Sequence, residues 1–476
     1  MKKKAIVWFR QDLRLHDNEA ISDALRSADQ VMYVYVFDER VFDSHTNFGF
    51  RKTGQFRAKF VLESVADLQA RLRERGADLV IRIGKPALIL AELAREIKAS
   101  WVYCNRERMS EELQVQNHLE KLLWPIGVEL RFTRGKMLYY TQDLPFPITH
   151  TPDTFTQFRK EVEKLVEIRE PICTPTDLKP YPNKVASSEL PTLSTLGYQE
   201  VISDERAALT FEGGETAALA RLQHYLWDTD HVATYEETRN ELIGEAYSTK
   251  FSPWLAQGCI SPKIIYQEVR KYEETRQKNK STYWVIFELM WRDFFRLQAK
   301  KNGNAIFKIG GTRSKITKKW NDDRNLLQKW IDGVTGVPFV DANMRELKAT
   351  GFMSNRGRQN VASFLVNDLH INWLMGAEYF ESVLTDYDVA SNWGNWNYIA
   401  GVGADPREDR VFNILSQANR YDPQGNYIRL WCPELANLPN DKINRPDLLT
   451  AEQQQQFGVR IGTDYPEAIV KIDKWV

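Results

Sequence analysis

The chain has 476 residues, and 64 Lys+Arg offset 64 Asp+Glu, so bulk charge names no partner. At roughly 150 residues per domain, this length predicts two or three domains. Hydrophobic residues at 43% and charged residues at 27% are the balance of a soluble globular protein with a sizeable core, which excludes disorder and fibrous repeats. No apolar run approaches the ~20 residues that span a bilayer, so no membrane contact is expected. The opening Met1–Trp8 has a basic head but no long apolar region or small-residue cleavage site, so a cytoplasmic address is expected. Cys104, Cys173, Cys259 and Cys432 lie far apart without a C-x-x-C, which disfavours a disulfide framework or structural zinc. Neither H-E-x-x-H, Walker A nor G-x-G-x-x-G occurs.

Residues 1–130 alternate apolar runs with amphipathic stretches. Ala5–Phe9, Val31–Phe37, Leu79–Ile83 and Trp101–Tyr103 read as buried strands, with Glu129–Phe132 a fifth. Helical patterns fall at 18–28, 55–75, 86–98 and 109–124. This alternation predicts an α/β domain with a parallel, Rossmann-like sheet covered on both faces. Ligands of such sheets sit beyond the carboxyl ends of the strands, where Phe9–His16 and Cys104–Arg108 form loops. Residues 131–200 are rich in proline, Pro182 among them, and read as a long linker with one helix at 153–167. Residues 201–476 show helical patterns without strands and hold eleven of the 14 tryptophans; a larger all-α domain is expected. Residues 261–320 carry 15 Lys/Arg against 5 Asp/Glu, whereas 201–250 are acidic.

Four stretches of the helical half could carry chemistry. In Trp284–Phe295, helical spacing puts Trp284, Glu288, Trp291, Arg292 and Phe295 on one stripe. Charges inside an aromatic stripe are costly unless paired. Two readings are open: a Glu288–Arg292 ion pair at a core edge, or a cavity floor where Glu288 hydrogen-bonds a polar ring and Trp291 stacks on it. In Gly351–Val366, Asn355, Arg356, Arg358 and Gln359 crowd the first turn of an otherwise apolar helix, suiting a polar or anionic ligand; plain capping explains one of them but not four. Thr385–Tyr398 has two carboxylates followed by amides interleaved with aromatics, suited to a flat heterocycle. A metal pair is the rival reading, without a nearby histidine. Tyr247–Gly258 offers hydroxyls and Lys250 ahead of a helix, either a phosphate cradle or an ordinary Ser-Pro helix start.

Together these stretches resemble the photolyase/cryptochrome family across nearly the whole chain. The Trp8–Asn18 opening is similar to that family's N-terminal signature. Tyr283–Phe295, Asn355–Asn360 and Arg429–Pro439 look most like its cryptochrome DASH members. The resemblance implies an FAD folded within the helical domain. Tyr235, Ser248, Thr249, Lys250, Phe251 and Ser252 would hold its phosphates and ribityl chain, with Arg292 counted among the cofactor residues. Arg358 and Asp386 would pair beside the isoalloxazine, Asp386 and Asp388 would meet its polar edge, and Asn392 would face its reactive nitrogen. Trp396, Trp373 and Trp320 match the family's electron-transfer triad; taken singly, each is an ordinary core tryptophan.

The lesion pocket implied by the resemblance is Glu288, Trp291, Asn355, Arg356, Gln359 and Tyr398. Classical bacterial enzymes for cyclobutane dimers have Trp at position 398 and Met at 359, so this pocket is more polar and stacks less. Enzymes for (6-4) photoproducts have histidines at 355 and 359, and neither is present here. The implied activity is light-driven splitting of cyclobutane pyrimidine dimers in single-stranded DNA, a lyase reaction, by a monomer. Lys and Arg of 261–320 would form a phosphate-neutralising rim. A methenyltetrahydrofolate antenna at Ser110 and Glu111 is a further expectation. A blue-light photoreceptor, or a regulator binding RNA or undamaged DNA, are the alternatives.

Overall fold

The computed structural model describes residues 2–181, 189–313, 318–403 and 411–475; Pro182 and Lys315 lie outside the described residues. Five parallel strands form one sheet: β1 (Lys4–Phe9), β2 (Gln30–Asp38), β3 (Leu79–Gly84), β4 (Trp101–Asn105) and β5 (Glu129–Thr133). Their order is β3-β2-β1-β4-β5, so the winding reverses at β1 and opens a crevice beyond the ends of β1 and β4. The period-2 alternation of the strands explains the two cores. Ala5, Val7 and Phe9 of β1 join a core shared with the helical half, including Leu222, Tyr225, Ile265 and Leu289. Ile6 and Trp8 point the other way, against helices Pro86–Ile97 and Ser110–Leu123.

The two halves are also locked by buried charge. His16 Nδ1 meets Glu215 Oε1 at 2.6 Å, and His16 Nε2 accepts the Ser261 N–H at 3.1 Å. Asp17 pairs with Lys263 at 2.7 Å. Burial of both partners makes such contacts costly to break from one side.

In the proline-rich stretch, the expected helix is Phe155–Leu165, N-capped by Thr154. Beyond it the described residues fold into helices around a second core, including Trp330, Phe339, Trp373, Trp396 and Trp431. Helices Lys280–Asn302, Pro338–Thr350, Asn355–Ser363, Trp373–Val383 and Val389–Ala400 frame the site. No helix among the described residues is long and apolar enough to cross a membrane.

Candidate functional site

A cavity of about 110 Å³ lies between helices Asn355–Ser363 and Val389–Ala400, lined among others by Asn355, Arg358, Gln359, Asp386, Asp388, Asn392 and Trp396. Arg358 is delivered by the first turn of its helix, which Ser354 caps by accepting the Gly357 N–H at 3.0 Å. Its Nη1 and Nη2 donate to Asp386 Oδ1 and Oδ2 at 3.0 and 2.8 Å. This two-pronged geometry fixes both groups.

Asp388 caps the next helix. Its Oδ1 accepts from the backbone and hydroxyl of Ser391, both at 2.9 Å, while Oδ2 meets Arg296. Burial raises its pKa, but Arg296 and Arg292 outweigh that and hold the carboxyl far below the usual carboxylate range. Asn392 donates one amide hydrogen to Ala377 O at 3.0 Å, which turns its carbonyl oxygen away from that bond. Arg57, on the helix Gln55–Arg73 of the α/β half, donates to Leu384 O at 3.1 Å and covers the Tyr387 ring at 4.8 Å. The N-terminal half thus holds the loop that carries Asp386.

The segment 247–252 meets this pair directly. Ser252 donates to Asp386 Oδ2 at 2.6 Å. The loop is shaped by Arg221, whose guanidinium binds the carbonyls of Glu245, Ser248 and Thr249. Lys250 adopts a left-handed φ of 55° and is buried, with its Nζ 3.1 Å from the Tyr247 ring centroid. Burial, and next Arg221, push its pKa well down. Lys250 Nζ, Tyr247 OH and Tyr225 OH are buried without hydrogen-bond partners. Unpaired buried donors are rare, and a ligand rich in acceptor oxygens fits them. Phe251 and Tyr235 are buried beside this loop.

Arg292 departs from expectation. It donates to Lys136 O at 2.6 Å and Leu255 O at 2.9 Å, so its terminal nitrogens serve backbone carbonyls behind the cradle rather than the cavity. Burial and Arg296 lower its pKa to about 10. Glu288 pairs with Arg239 and not with Arg292; Arg239 also covers Trp284 at 4.6 Å. Trp291 stacks on Phe155 at 3.8 Å with 9° between planes, and Tyr398 stands edge-on to it at 6.4 Å. Gln359 accepts from Arg356 at 3.0 Å, and Arg356 in turn donates to Asn240 at 2.8 Å and covers Tyr421 at 4.5 Å. Asn355 is exposed at the mouth. Arg239, Asn240, Phe155, Arg296, Arg221 and Arg57 were not legible as site residues, because each meets its partner from a distant segment.

Trp396 lines the cavity, and its ring lies so close to Gly376 that a Cβ there would fall 2.3 Å from it. Gly376 belongs to the helix that Trp373 starts. Trp373 is buried and donates to Ile309 O at 3.0 Å. Trp320, half-buried, adjoins Asn321, which pairs with Ile371 and so brings the two segments together.

Seven of the 15 Lys/Arg expected to form the basic rim meet acids within the fold. Lys263 and Arg296 are in buried pairs, and Arg270, Lys271, Arg276, Lys280 and Lys301 meet acids. Ser110 begins its helix and Glu111 pairs with Lys52 at the surface. The cavity between the two halves is lined instead by their neighbours Met109 and Glu112.

Comparison with known proteins gives the same picture. Residues 5–178 match the family described as DNA photolyase, and residues 284–475 match the FAD binding domain of DNA photolyase. The chain is 50% identical to Cryptochrome DASH of Gloeobacter violaceus, covering 99% of this chain and 93% of that protein. It is also 50% identical to Cryptochrome DASH of Synechocystis sp., covering 99% and 96%. The crystal structure of a Synechocystis cryptochrome superposes with a TM-score of 0.96 at 49% identity, covering 100% of this chain and 98% of that one. The α/β half, the helical FAD-binding half and the near-full-length likeness lead to one conclusion: the chain belongs to the photolyase/cryptochrome family and is most like its cryptochrome DASH members.

Proposed function

We propose that this protein splits cyclobutane pyrimidine dimers in light, preferentially in single-stranded DNA. FAD, when bound and reduced, would supply the photo-excited electron that opens the ring and would take it back afterwards, leaving no net redox change. Ser248, Thr249, Lys250 and Ser252 hold the phosphate and ribityl groups; the unpartnered Lys250 Nζ supports this role. Arg358 and Asp386 fix the ring system, and Asn392 offers its carbonyl oxygen toward it. Trp396, Trp373 and Trp320 relay an electron between the surface and the cavity. Glu288 and Trp291 position the lesion, with Asn355, Arg356, Gln359 and Tyr398 around it. Phe155 already occupies one face of Trp291, excluding water from that side.

The observation that carries the single-strand preference is the Trp291–Tyr398 geometry. Tyr398 stands at 78° to Trp291 and the ring parallel to Trp291 is Phe155, so Tyr398 does not sandwich a flipped base against it. Stacking is worth about 1–3 kcal/mol per base, and extrusion from a duplex costs a few kcal/mol. A one-sided platform therefore falls short on duplexes and suffices on single strands. The test combines Tyr398→Trp with Gln359→Met and measures dimer affinity at fixed salt. Affinity for duplex relative to single strands should rise. An unchanged ratio contradicts the pocket as the source of preference.

A further inference from the structure

Away from the flavin site, an open cleft of about 500 Å³ runs along edge strand β5 and the helix Glu19–Ser27. Arg26, Arg106, Arg131 and Arg134 line it, with Asp23 and Glu129. Arg26 is spent on Asp23. Arg131 is spent on Glu129 at 2.8 Å and the Tyr103 hydroxyl at 3.0 Å. Arg106 and Arg134 are not spent. Neither has a carboxylate within ion-pair distance among the described residues. Arg106 lies over Phe132 at 4.6 Å, and Arg134 gives its backbone N–H to Glu19 at 2.9 Å and its side chain to the Tyr140 hydroxyl.

The same two arginines line the smaller cavity between the halves, together with Arg108. Arg108 has one weak contact, to Thr141 Oγ1 at 3.5 Å. Burial, then Arg134 and Arg106, lower its pKa to about 10. Lys300, across the junction, is lowered to about 8 by burial and then by Arg108, Arg106 and Arg134. Arg106, Arg108 and Arg134 thus converge on one cavity, which Glu107 and Glu112 also line, with Glu107 spent on Lys136. Arg296 and Lys301, on the same helix as Lys300, both have acid partners. Convergent unpaired cations in a recess attract anions, and bidentate guanidinium groups suit phosphate. A volume of about 500 Å³ is within the roughly 300–1,000 Å³ of small-ligand sites. Asp23 and Glu129 line the cleft, and Glu19 lies beside Arg134. Asp23 and Glu129 are met by Arg26 and Arg131, and the charge of Glu19 would repel the continuing phosphates of a nucleic-acid strand.

We propose that this cleft binds a compact ligand carrying two or more phosphate groups, seated between Arg106 and Arg134. The site is separate from the flavin cavity and does not depend on the repair reading. The test is calorimetric titration of the protein, holding its flavin, with tripolyphosphate, ADP and an undamaged oligothymidylate at low salt. Saturable binding of one tripolyphosphate or ADP per chain is expected. Arg106→Gln, exposed and without a protein ion pair, should weaken it several-fold, and Arg106→Gln with Arg134→Gln at least tenfold. Lys271→Gln, elsewhere on the surface, should leave it unchanged. Tighter ADP binding identifies a nucleotide as the natural source, and tighter tripolyphosphate binding an inorganic chain. The proposal is overturned if no saturable binding occurs, if the double variant binds as the parent does, or if oligothymidylate displaces tripolyphosphate.

Discussion

Arg358 grips Asp386 through both terminal guanidinium nitrogens, at 3.0 and 2.8 Å, and Asp386 also receives the Ser252 hydroxyl at 2.6 Å. One carboxylate therefore joins the Arg358 pair to the 247–252 loop. Asp386→Ala leaves Arg358 with only the Met353 carbonyl as a hydrogen-bonding partner among the described residues. The stability loss should be about 3 kcal/mol, the lower end for a buried pair, because the guanidinium keeps some exposure. The purified variant should also lose flavin absorbance. Full FAD retention with an unchanged urea midpoint contradicts the assignment.

Glu346 lies under the same region, accepting from Tyr427 OH at 2.6 Å. Burial pushes its carboxyl up to about 7. The folded protein therefore binds a proton that the unfolded chain releases at lower pH. Stability from this group is full below the unfolded pKa and falls as pH rises toward 7. Glu346→Gln should flatten the stability profile between about pH 4.5 and 7, where an unfolded Glu has already ionised. Parallel profiles for parent and variant contradict the shift.

Trp320 is the outer member of the proposed Trp396–Trp373–Trp320 series. Trp320→Phe should slow photoreduction of the oxidised flavin by an external donor at least tenfold, read from absorbance under blue light. Dimer splitting by chemically pre-reduced protein should persist, because that electron does not pass through Trp320. Loss of splitting with intact photoreduction contradicts the series.

How much of this was legible follows the range of the interactions. The five strands were readable because β1 and β2 alternate between two buried faces, a local signal. The helix at Phe155–Leu165 was readable too, but its packing of Phe155 on Trp291 was not. Periodicity places Glu288 and Arg292 on one stripe, yet Glu288 chose Arg239, 49 positions earlier. The same limit applies to the basic segment. A local count cannot see Asp17, Asp230, Glu236 and Asp153, which come from remote segments to pair with some of its cations. Family resemblance supplied Asp386 and Asp388, while only the fold revealed that Arg296 holds the second of them.

Trp291 and Phe155 form one stacked unit, so their roles can be separated. Trp291→Ala should weaken binding of dimer-containing single strands by about 1–3 kcal/mol, the value of one lost stacking face. Phe155→Leu should cost less, because the proposed lesion site is the face of Trp291 that Phe155 does not cover. Filter binding at fixed salt compares them. A larger loss from Phe155→Leu contradicts the placement of the lesion.

The central claim is tested most directly by illuminating the reduced protein with single-stranded and duplex oligonucleotides, each carrying one cyclobutane thymine dimer, and assaying restored thymine. Light-dependent restoration on the single strand, with little on the duplex, is predicted. Equal rates on both substrates contradict the single-strand preference, and no restoration on either contradicts dimer splitting itself.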